Sequence, residues 1–176
     1  MIHNVSFALL DDAVVAGRAD EPIVDDWTHA RLLEESAALA GVLRHLGVAP
    51  GVRVVVRPDD DLDAVVAALA TARIGGVVTT EDDPAAAVVV GTAGSAPAAS
   101  GRHRVLRGEP DGDGSDLDWS VLLRAGRTDP ASAERLAPEA AYSMERSVAE
   151  QIEVLAGTEP PYDAAELRRL LQVECR

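Results

Sequence analysis

The stretch with the clearest chemical potential is Gly91-Thr92-Ala93-Gly94-Ser95-Ala96, which follows an apolar run and is succeeded by Arg102, His103, Arg104 and Arg107. Glycine lets a ligand approach the backbone amides, hydroxyls donate hydrogen bonds, and guanidinium groups pair with phosphate or carboxylate. Gly91, Thr92, Gly94, Ser95, Arg102 and Arg104 therefore make up a candidate anion- or nucleotide-binding loop. Their spacing is that of neither the P-loop nor the dinucleotide fingerprint. The plainer reading of the same residues is an ordinary connection after a strand.

Other residues that could do chemistry assemble less well. Asp59-Asp60-Asp61 has the look of a metal-binding cluster, but it stands where a new helix needs its first amides capped and its dipole met by negative charge. Capping is the favoured reading, because Leu62, Val65, Val66, Leu69 and Ala72 follow at helical spacing. The histidines, His3, His29, His45 and His103, never fall at a zinc-ligand spacing. Ser6, Ser36, Ser95 and Ser143 lack the flanking glycines of a nucleophile elbow. The single cysteine, Cys175, forms no intrachain disulfide and no cysteine metal cluster, and near the chain end it reads as a simple thiol. No catalytic residue, metal ligand set or cofactor is assigned.

The formal charge of −14 disfavours nucleic acid and anionic membranes, whose binding draws on neutralised phosphates. Solubility explains an acidic surface without any function, and a basic protein partner remains open. All 16 basic residues counted as Lys+Arg are arginines. The run Val5 to Leu10 has no basic start and no long apolar core, and no stretch reaches the ~18 apolar residues that a membrane span needs. A cytoplasmic location is the expectation.

These residues need a scaffold, and the apolar pattern supplies one. Leu32, Leu39, Leu43 and Leu46 mark an amphipathic helix from Thr28 to Leu46, ended by Gly47. Val52-Arg53-Val54-Val55-Val56 reads as a buried strand stopped by Pro58, and a second helix runs on to Gly75-Gly76. Val77-Val78-Thr79 and Ala86 to Val90 are further strands, and His103 to Leu106 is another. Gly108 to Asp118 reads as a mobile loop, Trp119 to Ala125 as a short helix, and Ala140 to Met144 as a last strand. Helices follow around Val148, Ile152 and Leu155 and from Ala164 to Val173. Strands alternating with helices predict an α/β protein: a three-layer α/β/α sandwich on a mainly parallel sheet. The Trp27 ring is expected in the core and Trp119 in a more open setting. With 3% aromatics, the core must be built from small aliphatic side chains.

Trp27-Thr28-His29-Ala30-Arg31-Leu32, then Leu46-Gly47-Val48, then Pro50-Gly51-Val52-Arg53-Val54 resembles the start of the adenylate-forming (AMP-binding) superfamily, which includes acyl-CoA synthetases and nonribosomal peptide adenylation domains. Arg73-Ile74-Gly75-Gly76-Val77-Val78 stands where the family's "A-G-A" signature belongs, and Asp83-Pro84 where "D-P" often follows. The resemblance implies the fold of the amino-terminal subdomain over residues 1–144, with 145–176 as a helical extension. In the family, the stretch matching Glu134 to Met144 leads into a Ser/Thr/Gly-rich loop that cradles the ATP phosphates. Here Glu145-Arg146-Ser147-Val148-Ala149-Glu150 comes instead, and the late catalytic lysine has no counterpart.

The resulting expectation is a truncated, catalytically incomplete relative of an AMP-dependent synthetase or ligase. It would act as a binding or assembly module with a protein partner, as a homodimer, or with a larger biosynthetic enzyme. Two alternatives stand beside it: one piece of a split acyl-activating ligase completed in trans, or a small protein binding a nucleotide or acyl ligand near Gly91 to Ser95. The Ala- and Arg-rich bias suits a GC-rich bacterial genome.

Overall fold

The computed structural model describes residues 2–97, 102–109 and 116–171. Thr28 opens the first long helix, α2 (His29–His45), its Oγ1 accepting from the Arg31 amide at 3.3 Å. Before it come a π-helical turn (Phe7–Asp11), α1 (Asp12–Val15) and a hairpin of β1 (Pro22–Val24) and β2 (Trp27–Thr28). β3 (Arg53–Arg57) leads into α3 (Asp61–Arg73), and Gly75 turns the chain with a φ of +75° into β4 (Val77–Thr79). β5 (Val88–Thr92), β6 (His103–Arg107) and β7 (Asp116–Asp118) complete a five-stranded parallel sheet of order β4-β3-β5-β6-β7. Then follow α4 (Trp119–Gly126), α5 (Val148–Ala156) and α6 (Ala164–Leu170).

The α/β class and the parallel sheet expected from the sequence are thus present. Side chains alternate across the strands, so the sheet has two distinct faces. Val54, Val56, Val78, Val88, Val90 and Val105 enter one large core with the buried residues of α2, α3, α4, α5 and α6. On the other face Val55 and Val89 form a small cluster with Ala86 and Ala96. Helices cover the first face, and on the second the outer layer is made by the segments 80–87 and 93–97.

Several local expectations are refined by tertiary packing. Asp116–Asp118, read from sequence as the end of a mobile loop, is a strand, because it pairs in parallel with Arg104–Leu106; residues 110–115 of that reading lie outside the described residues. Ala140 to Met144 contributes bridges rather than a strand: the Val78 amide donates to Tyr142 O at 2.9 Å, adding one rung beyond β4. The final helix ends at Leu170, and Val173 and Cys175 lie outside the described residues. The tryptophans exchange roles, with Trp119 fully buried and Trp27 half-buried under the Arg31 guanidinium at 3.9 Å.

The amino-terminal segment is tied to the end of α3 by polar contacts. Asn4 Nδ2 donates to Ala72 O at 3.1 Å, Arg73 O at 3.0 Å and Glu134 O at 3.1 Å. The buried Arg73 pairs with both oxygens of Asp11 at 2.8 and 3.0 Å and donates from Nε to Ala131 O at 2.7 Å. The bonds from Asn4 to Ala72 O and Arg73 O satisfy carbonyls that the end of α3 leaves without helical partners. The α2–α4 crossing is close: a Cβ on Gly126 would lie 2.1 Å from Ala38 O, and one on Gly41 would lie 2.2 Å from Asp129 O.

Candidate functional site

Gly91, Thr92, Gly94 and Ser95 lie at the carboxyl end of β5, which is where open α/β sheets place their ligands, whereas Arg102 and Arg104 lie at the amino end of β6. β3 and β5 are neighbours, and the chain leaves them in opposite directions across the sheet, so a crevice belongs between the loops that follow them. Here that position is filled by the protein's own groups. The Asp59 amide donates to Thr92 Oγ1 at 3.0 Å, and Ser95 Oγ donates to the Asp59 carboxylate at 2.9 and 3.0 Å. Arg168 of α6 closes the same spot, donating to Pro58 O at 3.2 Å, Asp59 O at 3.2 Å and Asp61 Oδ1 at 2.7 Å.

The structure brings Gly91, Thr92, Gly94 and Ser95 into one turn, in which the Ala96 amide donates to Thr92 O at 2.9 Å. Gly91 lies against Ala96, whose Cβ would be 2.9 Å from a Cβ on the glycine. Arg102 and Arg104 are directed elsewhere. Arg102 donates to Asp83 O at 2.6 Å and Asp82 Oδ1 at 3.1 Å, while Arg104 and Asp116 form a buried ion pair at 3.3 Å. Arg107 reaches the helix face, with both oxygens of Asp63 at 2.7 Å and its guanidinium 4.7 Å from the Trp119 ring centroid. A carboxylate rather than a guanidinium thus faces the loop hydroxyls.

The three aspartates divide their roles. Asp60 caps α3 by accepting from the Asp63 amide at 3.0 Å, Asp59 holds Ser95, and Asp61 meets Arg168. Among the described residues no group of three or more His, Cys, Asp and Glu is placed to hold a metal ion. His29 is buried with Nδ1 3.0 Å from Glu21 O, and His45 lies on the surface with Nε2 2.9 Å from Asp129. That contact and the one from Arg44 hold the Asp129 carboxyl below its usual range.

A cleft of 660 Å³ opens beside this crevice, at the ends of β3 and β4. Arg57, Thr79 and Thr80 line it from the sheet, Ser143 and Arg146 from the turn beyond Tyr142, and Arg169 from α6. Arg57 and Thr79 share the face of Val55, so the cleft sits on the face covered by segments rather than helices. None of these residues is assigned to a ligand site from the sequence, in which Ser143 figures as a serine without an elbow turn. One feature pointed to Arg57: a charged residue at the carboxyl end of a strand whose centre, Val54 to Val56, is apolar and β-branched. Nothing local pointed to Arg169, which reaches the cleft only because α6 folds back beside α3.

The turn on the far wall is built from its own side chains. Ser143 Oγ accepts from the amides of Glu145 and Arg146 at 3.3 and 3.2 Å, and the Tyr142 amide donates to Arg146 O at 2.9 Å. Ser147 and Glu150 then close a capping box on α5: the Ser147 amide and hydroxyl both meet Glu150 Oε2 at 2.8 Å. Those bonds hold the Glu150 carboxyl below its usual range. Burial pushes the Tyr142 phenol well above its usual range, and its hydroxyl donates to Leu171 O at 3.1 Å. Both serines are thereby committed within the turn and the helix start.

Residues 11–87 match the family model described as AMP-binding enzyme. An uncharacterized protein of Pseudomonas aeruginosa is 37% identical over 84 residues, a match covering 42% of this chain and 13% of that protein. Among solved structures, an anthranilate CoA ligase in complex with anthranoyl-AMP aligns with a TM-score of 0.64 at 19% identity, over 81% of this chain and 32% of that one. Acetoacetyl-CoA synthetase from Streptomyces lividans gives 0.61 at 24% identity, over 80% of this chain and 27% of that one. Apo MatB from Rhodopseudomonas palustris gives 0.55 at 20% identity, over 81% and 32%. The chain therefore has the fold of the amino-terminal part of AMP-dependent ligases and spans about a third or less of the length of these proteins. Among the described residues no helix is long and apolar enough to cross a membrane.

Proposed function

We propose that this chain is a binding or assembly module built on the amino-terminal scaffold of AMP-dependent synthetases and ligases, in which its own residues do not form an adenylate. The observation that carries the reading is the Tyr142–Glu150 segment. Where the resembled enzymes place a flexible hydroxyl-rich phosphate loop, this chain has a closed turn and a capped helix start, with Glu145 and Glu150 beside them. Backbone amides and hydroxyls that are already paired cannot also hold a triphosphate, and the two carboxylates oppose one. Its partner is a second copy, or a larger biosynthetic protein with a basic surface to match a net charge of −14. A cytoplasmic setting, and a fold divided into 1–144 and an extension over 145–176, belong to the same reading.

The decisive measurement is ATP–pyrophosphate exchange with a panel of carboxylic acids, run on the purified chain beside light scattering. No exchange together with a dimer or a defined complex supports the module; exchange by the chain alone would overturn it. A split ligase is the second reading, favoured by the chain's coverage of about a third of the aligned ligases. It requires exchange to appear only when a second chain carrying the phosphate loop is added.

A further inference from the structure

We propose that the 660 Å³ cleft at the ends of β3 and β4 binds a small oxyanion-bearing molecule, carboxylate or phosphoryl, through the side chains of Arg57 and Arg169. The volume lies within the ~300–1,000 Å³ range of small-molecule sites. Elsewhere the arginines of this protein are repeatedly tied to carboxylates: Arg53 to Asp83, Arg73 to Asp11, Arg107 to Asp63 and Arg168 to Asp61. The side chains of Arg57 and Arg169 line the cleft and make no hydrogen bond or ion pair to any described residue, although the chain has a large excess of acids. Arg146 adds a third guanidinium, steadied by Gln151 Oε1 at 3.1 Å.

Charge decides the class of ligand. The lining holds three arginines against Glu81, Asp82 and Glu145, and Asp82 is already met by Arg102 at 3.1 Å. Asp82 is held by Arg102 and Arg146 lies beside Glu150, so Arg57 and Arg169 stand against Glu81 and Glu145 and the cleft is close to neutral on a chain of −14. Two guanidinium groups without a carboxylate partner in a near-neutral cleft suit a compact anion and turn away a polyanion, which would extend over the exposed Glu81 and Glu145. Thr79 and Thr80 offer hydroxyls beside the guanidinium groups. The inference deepens the reading of the chain as a binding module and rests on it only in taking the Ser143–Arg146 turn as closed to a triphosphate.

The test is a titration of the full chain at low ionic strength with inorganic phosphate and, separately, with acetate, followed by NMR of the arginine Nε–H groups. Saturable shifts at Arg57 and Arg169 are expected in the millimolar range. Arg57→Met and Arg169→Met should each weaken the binding about tenfold or more, and Arg124→Met, an exposed arginine outside the cleft, should leave it unchanged. The stronger of the two probes assigns the group as phosphoryl or carboxylate. Shifts that do not saturate for either probe, or that persist unchanged in Arg169→Met, would overturn the proposal; because Arg169 is exposed, that variant keeps the fold. ATP–pyrophosphate exchange is read separately and bears only on the module reading.

Discussion

On one face of the sheet Val54, Val56, Val88 and Val90 lie beneath helices, in a core that also takes in Leu32, Leu39, Leu69 and Trp119. On the opposite face Val55 and Val89 form a small cluster with Ala86 and Ala96, and the covering segments are pinned by charge. Arg53 Nη1 reaches Asp83 at 2.9 Å and Arg102 reaches Asp82 and the carbonyl of Asp83, while within the sheet Arg104 of β6 pairs with Asp116 of β7. The first face is closed by apolar area, the second by directed polar contacts over small residues. Apolar burial is non-directional and leaves little room, whereas polar pins fix a covering segment at a few points and allow open space between them. The ligand-sized cleft lies on the pinned face.

The largest expected effect falls on the helix face. Trp119→Ala should cost about 3–5 kcal/mol in a urea unfolding titration, and Gly126→Ala should be comparably severe because its Cβ would sit 2.1 Å from Ala38 O. A tolerated Gly126→Ala would mean that the α2–α4 crossing is looser than its geometry. Next comes the buried pair on the other face: Arg104→Met leaves the Asp116 carboxylate buried and should cost about 3 kcal/mol. A value near zero there would break the comparison, since the second face would then not depend on its ion pair.

Smaller effects sharpen it. The double substitution Arg53→Ala with Arg102→Ala should speed hydrogen exchange over residues 80–87 while leaving α2 and α3 protected, because it releases pins without touching the large core. Ser147→Ala should cost about 1 kcal/mol and loosen the start of α5 alone. The acid limb is the mildest test. Asp83 and Asp129 titrate below their ordinary 3.8, Asp83 chiefly through the Ala85 amide and then Arg53, and Asp129 chiefly through His45. A carboxyl with a lowered folded pKa stabilises above its unfolded value and loses that contribution as pH falls through the folded one. Urea midpoints should therefore hold steady from neutrality to about pH 5 and decline below pH 4, with Asp83→Asn less stable than the parent at pH 7 and the difference narrowing as the pH falls.

Much of the scaffold was legible because it is local. Thr28 and Asp60 lie just ahead of helical apolar stripes and cap α2 and α3 as their position requires, and Val54 to Val56 could only be a buried strand. The candidate site was legible in part. Gly91, Thr92, Gly94 and Ser95 do form one turn, but that Asp59 would engage their hydroxyls depends on β3 and β5 being neighbours, although 30 residues lie between Arg57 and Val88 along the chain. Arg102 and Arg104 look alike in sequence, yet one holds the segment 80–87 and the other meets Asp116, a residue read as part of a loop.

Short-range physics, helix caps, turn glycines and apolar periodicity, thus set the elements and the α/β class, because each acts within a few residues and needs no partner from afar. Strand order, the assignment of charges to partners and the position of the cleft came only from the fold. A guanidinium reaches several carboxylates equally well in an unfolded chain, and only the packed arrangement decides which it meets. The meeting of Arg57 and Arg169 in one cleft is of this kind: two cations far apart in the sequence, brought to one place by α6 returning beside α3.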